Sequence, residues 1–182
     1  EFLGDEKQYL ANWPLADMRS VHKETLPVNC NWKIFWENYS ECYHCPRVHP
    51  ELGRIMPVYR KAVFDDADLP GWEPQFEGDR GHGRVGPGVR TWTLDGKSSL
   101  PLLEGPTDDE RNAGVSFTSI TGSMYVSGHP DYARSVRIVP RGPEQIELVV
   151  DWLLPDSFGD VDADIIEHIT GLARLVILQD GE

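Results

Sequence analysis

The ten residues from Glu41 to Pro50 read ECYHCPRVHP and gather two histidines, two cysteines and a carboxylate. Imidazole, thiolate and carboxylate are the side chains that bind transition metals, and four chemistries compete for them. A structural zinc site from Cys42, Cys45 and His49, with Cys30, asks for four ligands, usually as two well-spaced pairs; only one pair is present. A redox Cys-x-x-Cys follows a strand and opens a helix, whereas Cys42 and Cys45 close a helical stretch and enclose Tyr43-His44. An iron–sulfur cluster with mixed His and Cys ligands needs two separated Cys/His pairs, and no cysteine follows Cys45, so the chain cannot build one. The fourth chemistry is a mononuclear iron held by two histidines and one carboxylate, with open positions for oxygen and substrate.

For that last arrangement His44 and His49 supply the pair. Five-residue spacing does not align them on a straight helix, but a helix broken at Pro46 would swing His49 back toward His44. The third ligand must come from far away, and Asp180 is the candidate. It lies four residues after Val176 and seven after Ala173, continuing the apolar face of a helix, where burial is costly unless a metal or partner compensates it. The competing reading is that Asp180 frays into solvent at a helix end. The residues alone leave these readings open.

The elements that would position these groups can be read from periodicity. The first thirty residues show no sustained period. Asn31 to His44 lacks Gly and Pro and suits a helix, with Pro46 ending it. Pro70 to Gly114 is rich in Gly, Pro and Asp, predicting long loops with one short strand over Val89 to Thr93. Val115 to Tyr125, Tyr132 to Val139 and Ile146 to Leu154 read as strands, separated by turn signals at Gly128-His129-Pro130-Asp131 and Pro140-Arg141-Gly142-Pro143. A long helix then follows, with Ile165, Ile169, Leu172, Ala173 and Val176 at helical spacing and acidic residues in its first turn. The expectation is an α+β fold, an antiparallel sheet gripped by the last helix.

With 182 residues the chain suits one domain rather than two. Its net charge of −13 and the lack of a basic stripe argue against nucleic acid; Arg134, Arg137 and Arg141 are diluted by Asp131 and Glu144. No apolar run is long enough to span a membrane. Three cysteines with one close pair are not a secreted disulfide framework, so a reducing, cytoplasmic setting is expected. The chain opens on Glu1-Phe2-Leu3 without Met or a signal-peptide pattern, as expected of a piece of a longer protein.

Asn31-Trp32-Lys33, Glu37-Asn38-Tyr39 and Glu41-x2-His44-x4-His49-Pro50 together resemble the catalytic domain of Rieske non-haem iron oxygenases, the ring-hydroxylating oxygenase α-subunit family. Gln179-Asp180, at the end of a long helix, is similar to the segment that gives this family its third iron ligand. The likeness extends over most of Trp32 to Asp180 and is weakest from Pro57 to Gly114. It implies a helix-grip fold of the START/Bet v1 kind, with residues 1–182 a single catalytic domain lacking the N-terminal Rieske domain. It implies Fe(II) on His44, His49 and Asp180, with Glu41 bridging toward the Rieske centre of a neighbouring subunit and Asn38 or Glu41 orienting the ligands. The [2Fe–2S] cluster is expected in the full-length protein but not on this chain. A reductase or ferredoxin electron donor and a homotrimer are likewise implied.

Ring dioxygenases usually carry aspartate at the bridging position. Glutamate there resembles the branch acting on quaternary ammonium compounds such as choline, carnitine and betaines, which implies monooxygenation and N-demethylation. An aromatic-ring dioxygenase and a non-catalytic ligand-binding domain are the alternatives. Aromatic faces attract quaternary ammonium, and Trp92, Phe117, Tyr125 and Trp152, with Trp72, are the available rings; Trp152 alternates with Val150 and Leu154 and would face a cavity under the sheet. Cys42 and Tyr43 read as packing residues, His82 and His129 as turn residues, and His168 as a solvated surface residue.

Overall fold

The computed structural model describes residues 4–74 and 83–181, and His82 lies outside them. Five strands, β1 (Met18–Val28), β2 (Ser116–Ile120), β3 (Met124–Gly128), β4 (Ala133–Gly142) and β5 (Gln145–Pro155), form one sheet in the order β1-β5-β4-β3-β2. Every neighbouring pair is antiparallel. The helix α5 (Ala163–Asp180) packs Ile169, Ala173 and Ile177 into a core with Val136, Val150 and Trp152. This is the expected α+β sheet with a gripping C-terminal helix. Full burial of each such apolar side chain stabilises the fold by roughly 1.5–3 kcal/mol. Among the described residues no helix is long and apolar enough to cross a membrane.

β1 falls in the stretch that shows no sequence period, for a physical reason. It is an edge strand, half-buried along most of its length, and charge pairs hold it as much as apolar contact does. Lys23 Nζ lies 3.2 Å from Asp151, and Arg174 on α5 donates from Nε to Glu24 at 3.2 Å. The single strand expected over Val115 to Tyr125 is two strands, β2 and β3, folded back at Gly122. That glycine has φ +73°, a left-handed conformation that side chains rarely adopt. The strand expected over Val89 to Thr93 does not form. Its polar groups bond elsewhere: Thr91 Oγ1 donates to Asp131 (2.5 Å), and the Trp92 carbonyl accepts from the Tyr132 hydroxyl (2.8 Å).

The helix expected from Asn31 to His44 is shorter and segmented. α1 (Trp32–Tyr39) starts at Asn31, whose side chain accepts from the Lys33 amide at 3.0 Å, and ends at Ser40. The one-turn α2 (Cys45–Val48) and then α3 (Pro50–Ile55) follow. Pro46 therefore does not break a helix. It sits in the first turn of α2, where its missing N–H has no intrahelical partner to lose. The remaining helix, α4 (Asp108–Ala113), lies within the expected loops and is fixed by a capping box between Thr107 and Glu110. Cys45, Leu52 and Ile55 pack with Leu172 of α5, which clamps the α2–α3 segment against the last helix.

Candidate metal centre

His44 precedes α2 and His49 separates α2 from α3, so one helical turn spaces the two imidazoles. Their ring centroids lie 5.1 Å apart and their planes are nearly perpendicular. Each ring is held at Nδ1: His44 by Glu41 Oε1 at 2.7 Å, His49 by Gln179 Oε1 at 2.9 Å. A neutral imidazole whose Nδ1 carries the proton presents a lone pair at Nε2. Both Nε2 atoms face Asp180 at the end of α5, 3.5 Å from Oδ1 for His44 and 2.9 Å for His49. Asn38 Nδ2 donates to the same carboxylate oxygen at 3.1 Å. Glu41 is itself fixed, because Oε2 accepts from the Tyr43 amide.

The ligand atoms of His44, His49 and Asp180 all lie within 4.8 Å of one another. Two imidazole nitrogens and one carboxylate oxygen, leaving a face open, form the donor set that suits non-haem Fe(II). The residues present therefore fit such an ion. The His49 side chain is only 2% exposed. Burial opposes its charged form, but the hydrogen bonds to Asp180 and Gln179 outweigh burial and raise its pKa above the ordinary histidine value.

Cys42 and Cys45 are joined in a disulfide, contrary to the expectation of reduced thiols, and Cys30 is the free cysteine. The bond removes both sulfurs as thiolate ligands although Cys45 Sγ lies 4.0 Å from His44 Nε2, so the zinc alternative lacks its donors. Cys42 packs in the core as expected, but Tyr43 is 81% exposed.

A cleft runs from Asp180 between α5 and the sheet, and Trp92, Phe117 and Tyr125 line it together with Tyr39, Tyr59 and Arg134. Trp152 does not line it. Its side chain has the helix-facing phase of β5 but is fully buried under α5, while the cleft opens over β2 to β4. Trp72 also lies outside the lining. His129 lies in the turn between β3 and β4 as expected, but it is fully buried and stacks on Tyr132 at 4.3 Å. Burial holds it well below the ordinary histidine pKa. His168 is half-buried and bonded to Asp95 and Ser99, both at 2.9 Å.

Sequence reasoning missed the role of Gln179 in holding His49, and it missed Arg134. The signal for Arg134 is its phase: it alternates with Val136 and Ile138 on the buried side of β4, while Arg137 points out.

Residues 15–182 match the family described as the ring hydroxylating alpha subunit (catalytic domain). The chain is 27% identical over 188 aligned positions to the glycine betaine monooxygenase oxygenase subunit of Chromohalobacter salexigens, covering 90% of this chain and 41% of that protein. It is 35% identical to the protein of the same name from Pseudomonas aeruginosa, covering 91% of this chain and 43% of that one. The chain thus spans about two fifths of the length of these curated relatives. A crystal structure of a quaternary ammonium Rieske monooxygenase shares the fold, with a TM-score of 0.56 at 13% identity over 96% of this chain and 40% of that one. The match over nearly the whole chain, on a sheet and helix that bring two histidines and an aspartate together, means that this chain belongs to the catalytic domains of the ring-hydroxylating oxygenase α-subunits.

Proposed function

We propose that this chain carries the mononuclear iron and the substrate cleft of an O2-dependent monooxygenase acting on a quaternary ammonium compound. The observation that carries the proposal is the convergence of His44, His49 and Asp180 at one end of a cleft walled by aromatic rings. Relatives named glycine betaine monooxygenase support the substrate class.

His44 and His49, with both Nε2 lone pairs free, and the Asp180 carboxylate would hold Fe(II). Bound there, the ion supplies the oxygen-activating chemistry that side chains cannot. Glu41 and Gln179 keep the proton on each Nδ1, so both lone pairs stay directed at the metal position. Asn38 fixes the rotation of Asp180. Trp92, Phe117 and Tyr125 hold the ammonium by cation–π attraction and exclude water around the methyl group that reacts.

One oxygen atom enters a C–H bond, and the other leaves as water with two electrons and two protons. The C–N bond to the hydroxymethyl group then breaks with its electron pair left on nitrogen, releasing formaldehyde and the hydroxyl proton and giving the N-demethylated amine. A [2Fe–2S] Rieske cluster outside these residues would supply the electrons from a reductase or ferredoxin, and Glu41, which holds His44 Nδ1, would bridge toward a neighbouring subunit of a homotrimer.

Iron analysis and product analysis test the proposal. Purified protein is expected to bind about one Fe(II), and His44→Ala or Asp180→Ala to abolish binding. Stoichiometric iron in both variants refutes the ligand assignment. Formaldehyde released with substrate, O2 and reductase supports demethylation. A cis-dihydrodiol from an arene would instead make this a ring dioxygenase, and ligand binding without oxygen uptake would make it a binding domain.

A further inference from the structure

Arg134 is the one charged residue on the buried phase of β4, and it is only 7% exposed. It lies opposite Ser127 on β3 and Trp152 on β5, and it lines the same cleft as Asp180. Among the described residues its guanidinium has no recorded hydrogen bond or ion pair, and Nε is sealed from solvent without an acceptor. Of the other long cations near the sheet, Lys23 pairs with Asp151, Arg141 with Glu147 and Arg174 with Glu24 and Glu167, while Arg137 on β4 is exposed to solvent. A nearly buried guanidinium whose Nε is sealed without an acceptor and whose remaining donors meet no protein partner among the described residues is unfavourable for folding alone, so its retention calls for a ligand in the cleft that completes it.

The two carboxylates bordering the cleft are already engaged, Glu41 with His44 and Asp180 with His49 and Asn38. Burial raises the Tyr39 and Tyr125 hydroxyls, and the Arg134 charge opposes that rise in both. The guanidinium therefore sits beside the aromatic wall rather than away from it. Those two rings stack at 4.1 Å. The cleft thus combines an acidic metal position, aromatic faces suited to a cation, and one unpaired buried cation suited to an anion.

We infer that Arg134 anchors a carboxylate, so that the substrate is a small zwitterion with its quaternary ammonium among the rings and its carboxylate on the Arg134 guanidinium. This deepens the quaternary ammonium reading and rests on it. Planar, bidentate pairing is what a guanidinium offers a carboxylate and an ammonium does not. A cation with a neutral tail would leave Arg134 unpaired, so the residue selects betaines over amino alcohols.

Anaerobic calorimetric titration with glycine betaine, choline and tetramethylammonium separates the possibilities, because the three share a quaternary ammonium and only the first carries a carboxylate. The wild-type protein is expected to bind glycine betaine most tightly. Arg134→Met is expected to weaken glycine betaine roughly 10- to 100-fold, as for the loss of a charged hydrogen bond, and to leave choline within about twofold. Arg134→Lys, which keeps charge but not the fork, is expected to fall between. Thermal melting supplies a readout that a structural role would move the other way: Arg134→Met should melt no lower than wild type, since it removes an unpaired buried charge.

Unchanged betaine affinity in Arg134→Met, equal loss of all three ligands, or a variant that melts lower or fails to fold would overturn the anchor. So would a wild-type protein that prefers choline to glycine betaine, a result that leaves the quaternary ammonium reading standing. Binding of none of the three would sink that reading itself.

Discussion

Replacing Gln179 with leucine tests whether the Nδ1 hydrogen bond to His49 governs metal affinity. In the structure the bond is 2.9 Å long and the His49 side chain is 2% exposed, so water cannot take over the lost acceptor. Leucine is close to glutamine in volume and offers no acceptor. Without metal, the ring escapes the penalty by moving its proton to Nε2 and donating to Asp180 Oδ1, 2.9 Å away. Metal ligation requires the Nε2 lone pair, which forces the proton back to Nδ1 where nothing accepts it. A buried donor left unpaired costs roughly 1–3 kcal/mol, and here that cost falls on the metal-bound state alone. Affinity should drop about 5- to 150-fold, which overlaps the roughly 10- to 100-fold seen when outer-shell partners are removed. Anaerobic titration with Fe(II) or Co(II) measures it, with thermal melting of the metal-free protein as the control. Glu51 accepts from Gln179 Nε2 at 3.0 Å, and Glu51→Gln retains an acceptor, so that variant should change metal affinity little. Wild-type affinity in Gln179→Leu would refute the reasoning.

Thiol titration in denaturant should find one reactive cysteine, Cys30, before reduction and three after it; three before reduction would exclude the Cys42–Cys45 bond. Because so few residues lie between the bonded cysteines, reduction should lower unfolding stability by only about 2 kcal/mol on the chain-entropy account, read as a shift of the urea midpoint. Asp95 is held at about 2 against its ordinary 3.8, first by the His168 hydrogen bond and then by the Lys97 amide. Its folded pKa is depressed, so the unfolded chain takes up the proton first. The stabilisation is complete above the ordinary value and is lost as pH falls toward about 2. Asp95→Asn should flatten acid unfolding in that window, and identical slopes in the two proteins would show that the pair contributes nothing.

Elements with one fully buried face were legible in the sequence, and elements held by polar contacts were not. β4, β5 and α5 bury continuous apolar phases, so alternation and helical spacing located them. β1 is held partly by Lys23, Glu24 and their ion-pair partners, which leave no apolar period to read. The hairpin between β2 and β3 hid because Gly122 turns the chain without the usual dipeptide signal. The disulfide was missed for a different reason: cysteine count argues about compartment, whereas pairing here depends on how Cys42 and Cys45 meet around His44.

The same contrast explains the cleft. Trp152 and Arg134 stand opposite each other on adjacent strands and share one face of the sheet, so strand phase correctly predicts that both face the helix. What phase cannot tell is how far α5 reaches across that face. The helix covers β5 and seals Trp152, but leaves β2 to β4 open beyond Ala173, Val176 and Ile177. Trp152 under the helix packs into the core. Among the described residues no carboxylate pairs with the Arg134 guanidinium at the uncovered edge, since Glu41 and Asp180 are engaged by the histidines. Charge on an apolar phase was therefore the more informative signal, because burying it is unfavourable wherever the fold itself supplies no partner. The same argument selects Asp180, a carboxylate on the buried stripe of α5, and the two residues stand in one cleft with opposite charges.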